Sequence, residues 1–177
     1  VFVASVRPEP AITGGGLIPT RFTFEHYAAI LAKKPFLIAL KNSLIVGIAV
    51  AVVTTALAMP AAYALSRFAF GGRNFFALLI LGTQMLPSLA VLVPLVVIIR
   101  QIGLTNTLTA LIFTHLALGM PIAVWMLKGY IDAIPKELEE AALIDGCGRL
   151  GAMWRIVVPL IRPAIIAVGT FAFVLSW

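Results

Sequence analysis

Residues 43–65 read SLIVGIAVAVVTTALAMPAAYAL, a run of 23 residues without a single charged side chain. As an α-helix this run would extend roughly 34 Å, at about 1.5 Å per residue, which is enough to cross the hydrocarbon core of a membrane. The whole chain has the same character, since 62% of it is hydrophobic and only 11% is charged. Soluble domains are about half apolar and a quarter charged. The sequence therefore predicts an all-α fold, a polytopic transmembrane helical bundle.

Three further apolar runs follow the first one along the chain. We predict full membrane crossings at 43–65, 74–99 and 108–127, and part of a fourth crossing at 161–177, because the sequence stops inside that run. The chain also begins without Met. We therefore expect it to be a piece of a longer protein.

Prolines interrupt these runs. Pro60 and Pro121 each lie in one predicted crossing, whereas the crossing at 74–99 contains both Pro87 and Pro94. Sharp kinks in helices usually occur at proline, so we expect 74–99 to be kinked or broken. Repeated bends suit helices that curve around a pathway, and ordinary packing explains them equally well.

A few polar side chains lie inside the apolar runs: Gln84, Ser88, Thr114 and His115. Polar groups at membrane depth often face a pathway, which makes these four residues candidates for contact with a transported substrate. Hydrogen bonds between packed helices explain them about as well. Gln84 in particular is expected to be buried and to face another helix.

The net charge of +6 comes from scattered basic residues, and no nucleic-acid-binding motif accompanies them. We interpret the charge as membrane anchoring and expect no nucleic-acid partner. The single cysteine excludes an internal disulfide, and no metal or cofactor site is predicted. Basic residues are divided almost evenly between the two sides of the predicted spans, so the positive-inside rule leaves the orientation open.

Residues 128–159 form the longest polar interruption. Pro135 suits the start of a helix, and glutamates 137, 139 and 140 place negative charge at the positive end of its dipole. Gly146 suits the left-handed residue that follows a helix end. A short helix is therefore predicted over 136–145.

One face of this helix is predicted to carry Leu138, Ala141, Ala142 and Asp145, which recur at helical spacing. The two alanines would permit close approach of another surface. A second apolar stripe follows at Leu150, Met153, Trp154 and Val157. Physical reasoning alone leaves two uses open, namely docking of a partner protein or a plain interfacial link between two spans.

The spacing of particular residues in this segment resembles a known signature. Glu140-Ala141-Ala142, three residues, Gly146, nine residues and then Ile156-x-x-Pro159 resembles the pattern E-A-A-x-x-x-G-x(9)-I-x-L-P. That pattern marks the membrane subunits of binding-protein-dependent ATP-binding-cassette importers. Val158 stands where Leu is usual, and Cys147 stands where Ala is common.

Further stretches extend the resemblance over nearly the whole chain. Residues 40–44, 64–73 and 173–177 resemble the carbohydrate branch of the same family, and in particular its maltose-type second permease subunit. The fold implied is that of a type I importer permease, and the substrate implied is a sugar.

The resemblance also implies an orientation and a coupling mechanism. Segment 128–159 would be a cytoplasmic coupling loop, whose helix docks into a cleft on a dimer of ATPase subunits. Glu140 would pair with a basic residue of the ATPase, Ala141 and Ala142 would allow the close fit, and Gly146 would form the turn that follows. Asp145 and Pro159 complete the predicted coupling set.

The implied protein would lie in the inner membrane of a prokaryote, in contact with lipid and with a second permease subunit. Residues 1–40 would form an extracytoplasmic loop that faces a solute-binding protein, which delivers the sugar. ATP would be hydrolysed in the partner, so no catalytic residue is expected in this chain, and the phosphate-binding motif G-x-x-x-x-G-K-[ST] is absent from it.

Two alternative functions fit the sequence less well than an importer permease. An ion-coupled secondary transporter needs an ionisable group inside a span, and no Asp, Glu, Lys or Arg lies in the interior of a predicted crossing. An intramembrane enzyme needs a nucleophile with a base or a metal cluster. Both alternatives leave the Glu140 segment unexplained. Whether the solute is a sugar, a polyol or a glycerophosphate is left open.

Overall fold

The computed structural model describes residues 22–177, and every regular element within this range is helical. This confirms the predicted all-α class. The helices are α1 Glu25–Leu31, α2 Lys34–Arg67, α3 Arg73–Thr83, α4 Ser88–Gln101, α5 Leu108–Asp132, α6 Glu137–Ile144, α7 Arg149–Ala152, α8 Val158–Leu160 and α9 Arg162–Ser176. A π-helical turn, Met153–Val157, separates α7 from α8.

The contacts divide the chain into two compact units, residues 1–43 and residues 44–177. Helix α1 and the first turns of α2 belong to the first unit. Residues 1–21, which make up half of the predicted extracytoplasmic loop, lie outside the described residues. All of the contacts discussed below lie within the second unit.

Helix α2 is longer than the predicted crossing at 43–65, since it runs from Lys34 to Arg67. Residues 34–40 were predicted to be loop, and they are helical instead. Pro35 is compatible with this because the first turn of a helix does not need its missing N–H group. Helix α5 likewise continues to Asp132, past the predicted end at 127. Both helices are long and apolar enough to cross a membrane.

The predicted crossing at 74–99 is a bent pair of helices, and the predicted partial crossing at 161–177 is α9, which forms a second bent pair with residues 149–160 of the predicted coupling loop. Helices α3 and α4 meet at an angle of 97°, and the segment α7–α8 meets α9 at 79°. The first break ends at Pro87, which lacks an N–H group and disfavours helical geometry in the residue before it. If each pair forms one span, the described residues contain four spans, and otherwise two.

The core of the second unit lies where α2, α5, the π-helical turn and α9 meet. Ala58 and Ala62 of α2 are fully buried there, as are Leu127 of α5, Val157 of the π-helical turn and Val168 of α9. Small residues let helix backbones approach closely, which is the usual basis of helix association in membranes.

Helices α2 and α9 also approach closely at Gly47. A Cβ atom added to Gly47 would lie 2.7 Å from Cε2 of Phe173, well inside van der Waals contact. The ring of Phe173 in turn packs on Trp177, with 5.5 Å between the ring centroids. Only glycine fits at this crossing without displacing an aromatic side chain.

We predict that Gly47→Leu lowers the thermal unfolding midpoint of the detergent-solubilised protein, because overpacking a tight contact costs about 1–3 kcal/mol. Gly129→Leu is the matched control, since a Cβ at Gly129 would meet open space. The second substitution Phe173→Ala should recover part of the loss. Equal effects at Gly47 and Gly129 would contradict this interpretation of the crossing.

Candidate functional site

Helix α6 forms within the range predicted for it, at Glu137–Ile144. Pro135 precedes it, and three glutamates occupy its first turn, where they complement the helix dipole. At the other end Gly146 has a φ of +86°, the predicted left-handed conformation. The N–H of Cys147 donates to the carbonyl of Ala142 at 2.9 Å, which closes the helix end.

The outward surface of α6 carries most of the residues predicted to dock. Glu140, Ala141, Asp145 and Gly146 are exposed. Ala142 is not, because it is only 8% exposed and packs into this chain's own interior. The prediction that the two alanines lie on one exposed face of α6 is therefore wrong, while a role of Ala142 in coupling stays a prediction.

The buried side of α6 also differs from the face that was predicted. Leu138, predicted to share a face with Ala142, is 46% exposed, whereas Glu139 is only 6% exposed. Of the second predicted stripe, Met153 and Val157 are buried, while Leu150 and Trp154 are exposed. The helix turns Glu139 and Ala142 inward because Glu139 finds a charged partner there.

That partner is Arg67, at the end of α2. Its Nε donates to Oε1 of Glu139 at 2.6 Å, and the two side chains are only 6% and 8% exposed. The second carboxylate oxygen of Glu139 accepts a hydrogen bond of 2.7 Å from the hydroxyl of Tyr63. The sequence analysis named Glu139 only for its charge at the start of the helix, and it did not connect Glu139 with Arg67 or Tyr63, because no short-range pattern links positions 72 residues apart.

The same guanidinium group also caps α5. Nη2 of Arg67 donates to the carbonyl of Ile131 at 2.9 Å and to that of Ile134 at 2.8 Å. Carbonyls at a helix C-terminus lack partners within the helix, and a basic group there is also favoured by the helix dipole. Arg67 therefore joins the ends of α2 and α5 to α6.

Neighbouring polar contacts reinforce this region. The hydroxyl of Ser66 donates to Oδ1 of Asp132 at 2.6 Å, and Lys128 forms an ion pair with the same carboxylate. Nε of Arg73 donates to the carbonyl of Leu65 at 2.8 Å, which satisfies the last turn of α2. Pro159, the final residue of the predicted coupling set, is half-buried in α8.

A cavity of about 510 Å³ lies between α2, the break that separates α3 from α4, α5 and α9. Gln84, Ser88 and His115 line this cavity. Gln84 is exposed in this chain, which corrects the prediction that it is buried. It is exposed because it lies in the break after α3, where the chain leaves the helix.

The fourth predicted pathway residue, Thr114, is not in the lining. Its hydroxyl donates to the carbonyl of Ala110, one turn earlier in the same helix, at 2.8 Å. This local bond satisfies the hydroxyl without any contact to a cavity. The structure thus brings together three of the four predicted pathway residues.

Thr54 is a polar lining residue that the sequence analysis missed. It is 0% exposed, and its hydroxyl has no hydrogen-bond partner among the described residues. The adjacent Thr55, in contrast, donates to the carbonyl of Ala51 at 2.7 Å. The one signal in the sequence is the pair of threonines in an otherwise apolar run.

Known proteins are similar to this chain over both the α6 region and the cavity. The family described as "binding-protein-dependent transport system inner membrane component" matches residues 54–177. The chain is 33% identical over 179 residues to the trehalose/maltose transport system permease protein MalG of Thermococcus litoralis, with 100% of this chain and 64% of that protein covered. It is 40% identical over 163 residues to the inner membrane ABC transporter permease protein YcjP of Escherichia coli, with 91% and 58% covered.

A solved structure agrees with these matches. One chain in the crystal structure of a bacterial ABC transporter involved in the import of the acidic polysaccharide alginate superposes with a TM-score of 0.85 at 25% identity. The superposition covers 99% of this chain and 62% of that one. The chain thus spans about three fifths of the length of these relatives. The family match covers most of the chain, including the buried ion pair, helix α6 and all of the cavity lining except Val50, so the chain belongs to the family of inner-membrane components of binding-protein-dependent transport systems.

Proposed function

We propose that this protein is the membrane-spanning permease subunit of an ATP-driven importer for a sugar or a related solute. The observation that carries the proposal is the outward surface of α6, where Glu140, Ala141 and Gly146 are exposed. The opposite side of the helix is held to α2 by the buried ion pair between Arg67 and Glu139. Family membership favours the importer over an ion-coupled secondary transporter. A sugar is favoured because one relative is named for trehalose and maltose and another belongs to an alginate importer.

The proposed importer divides its work among several proteins. A dimer of ATP-binding-cassette subunits binds and hydrolyses ATP on the cytoplasmic side, and this chain contributes no catalytic residue. A solute-binding protein delivers the sugar on the opposite side, and a second permease subunit completes the pathway. ATP binding shifts the permease between inward-facing and outward-facing states because the ATPase contacts α6 differently in the two states.

Helix α6 is the proposed point of contact with the ATPase. The exposed carboxylate of Glu140 pairs with a basic residue of the partner, and the methyl side chain of Ala141 lets the two backbones approach. Gly146 supplies the left-handed turn that directs the chain away from the contact, and Asp145 adds a second exposed negative charge. Pro159 acts at a distance from this surface, by shaping α8.

The cavity is the proposed site of substrate passage. Gln84, Ser88 and His115 offer both donors and acceptors to sugar hydroxyls. Thr54 also belongs to the lining, and its buried hydroxyl has no hydrogen-bond partner among the described residues. The ring of Phe171 adds an aromatic surface to the lining. A few polar groups in a largely apolar pocket are typical of small-molecule sites.

We predict that Glu140→Lys abolishes both co-purification of the ATPase with the full-length permease and ATP-driven uptake, since it reverses the charge at the proposed contact. Glu137→Lys is the matched control, because Glu137 lies exposed in the same first turn but outside the signature. It should retain most of the binding. Equal losses from both substitutions would point to general charge repulsion instead.

We predict that Gly146→Val weakens ATPase docking, because a β-branched residue at positive φ costs about 1 kcal/mol or more. Gly148→Val tests the same added bulk two residues later, where φ is −72° and a Cβ would meet open space. Docking is measured by pull-down from detergent against ATPase concentration. Unchanged docking of the Gly146 variant would show that the left-handed turn is dispensable.

We predict that Gln84→Leu and Ser88→Ala each raise the KM for uptake of trehalose or maltose by about fivefold, the equivalent of one lost hydrogen bond of about 1 kcal/mol. Thr109→Ala is the control, since Thr109 is exposed on α5 outside the cavity lining. Uptake is measured with radiolabelled sugar in proteoliposomes of the complete transporter. An unchanged KM in both cavity variants would exclude this cavity as the pathway.

A further inference from the structure

We propose that Arg67, Glu139 and Tyr63 form a polar clamp that makes α6 move as one body with the ends of α2 and α5. Through this clamp a displacement of α6 by the ATPase would reach the membrane helices. The inference rests on the proposed function, because it concerns how the same coupling helix transmits its motion. Arg67 and Glu139 would be positioning residues, which act through the helices that they hold.

Glu139 supplies the first part of the clamp, since both of its carboxylate oxygens are engaged by α2. Oε1 accepts from Arg67 at 2.6 Å, and Oε2 accepts from Tyr63 at 2.7 Å. Tyr63 and Arg67 are one helical turn apart, so successive turns of α2 each contribute one hydrogen bond to the Glu139 carboxylate. A shift of α6 along or around α2 would have to break at least one of these bonds.

Arg67 supplies the second part, because its Nη2 group donates to the end of α5 while its Nε donates to Glu139. Nη2 reaches the carbonyls of Ile131 and Ile134, at the end of that helix and just past it. One guanidinium group therefore holds three helices. The hydroxyl of Tyr63 also lies 3.3 Å from the carbonyl oxygen of Arg149, which extends the contacts to α7.

Burial is what makes these contacts stiff. The Arg67 and Glu139 side chains are 6% and 8% exposed, so pulling them apart would leave two desolvated charges without partners, which is strongly unfavourable. The ion pair Lys128–Asp132 differs in location and in burial. Both of its residues belong to α5, and its aspartate side chain is 42% exposed. The Lys128 side chain is 17% exposed, so solvent reaches this pair more than it reaches Arg67 and Glu139, and the pair ties α5 only to itself.

The clamp also explains why two adjacent glutamates in α6 have opposite environments. Glu139 points into the chain and holds the membrane helices, whereas Glu140 is exposed on the surface proposed to meet the ATPase. Successive residues of a helix point in directions about 100° apart. A single helical turn can therefore bind a partner on one side and be tied to the membrane domain on the other.

The test follows the motion of α5 during the ATP cycle and needs no knowledge of the sugar. The reporter is Ala117→Cys, at an exposed position of α5 on the cavity wall. It is placed in a background where Cys147 and any further cysteine of the full-length permease are replaced by alanine. The full-length permease is assembled with its ATPase. Labelling of the reporter by a maleimide is timed without nucleotide and with ATP plus vanadate.

With an intact clamp, ATP plus vanadate should change the labelling rate severalfold. Glu139→Gln and Arg67→Lys should reduce that change at least threefold, while the amount of co-purified ATPase stays the same. Lys128→Gln is the matched control and should preserve the full response. If Glu139→Gln does not accumulate, Tyr63→Phe removes one bond of the clamp, leaves the ion pair in place and should give a partial reduction.

The clamp inference would be overturned if the variant complexes were less stable but kept the reference response to ATP, because the network would then only support folding. A reference protein that binds no ATPase, or that shows no ATP-dependent change in labelling, would overturn the proposed function and the clamp with it. The two failures are distinguishable because the first appears only in the variants.

Discussion

The burial of one ion pair decides how the polar segment of this chain is arranged. Arg67 and Glu139 are removed from water almost completely, so each must keep its partner. That requirement directs Glu139 inward and leaves Glu140 outside. It also places the end of α5 against α2, since the carbonyls of Ile131 and Ile134 complete the hydrogen bonding of Arg67. A segment that looks like an exposed linker in the sequence is thereby a fixed part of the membrane domain.

The cavity does not depend on an ion pair, because no Asp, Glu, Lys or Arg belongs to its lining. Its wall depends on the break between α3 and α4, which exists because Pro87 cannot continue a helix. Gln84 stands at the end of α3, where the break begins, and it lines the same cavity as Ser88 and His115. The proposed pathway and the proposed coupling surface thus use the same membrane helices, α2 and α5. A rotation of either helix would alter both.

Local signals in the sequence were sufficient for much of this fold. Uncharged runs predicted the membrane helices, Gly146 predicted its own left-handed turn, and the prolines of 74–99 predicted a break. Helix ends were less well predicted, since the first turns of α2 lie in the segment 1–40 that was predicted to be a loop. The pairing of Arg67 with Glu139 could not be predicted from local sequence, because it depends on tertiary packing between residues 72 positions apart. The inward orientation of Ala142 follows from that pairing, so it was missed for the same reason.

The π-helical turn at Met153–Val157 overlaps the fixed spacing of the signature motif. The nine residues between Gly146 and Ile156 pass through this wider turn, which takes up more residues per revolution than an α-helix. Adding or deleting a single residue there would rotate α8 and Pro159 by about 100° relative to α7, with which they form one continuous helical segment. The number of residues in the motif therefore fixes the direction in which Pro159, and the helix α9 that follows it, leave the polar segment.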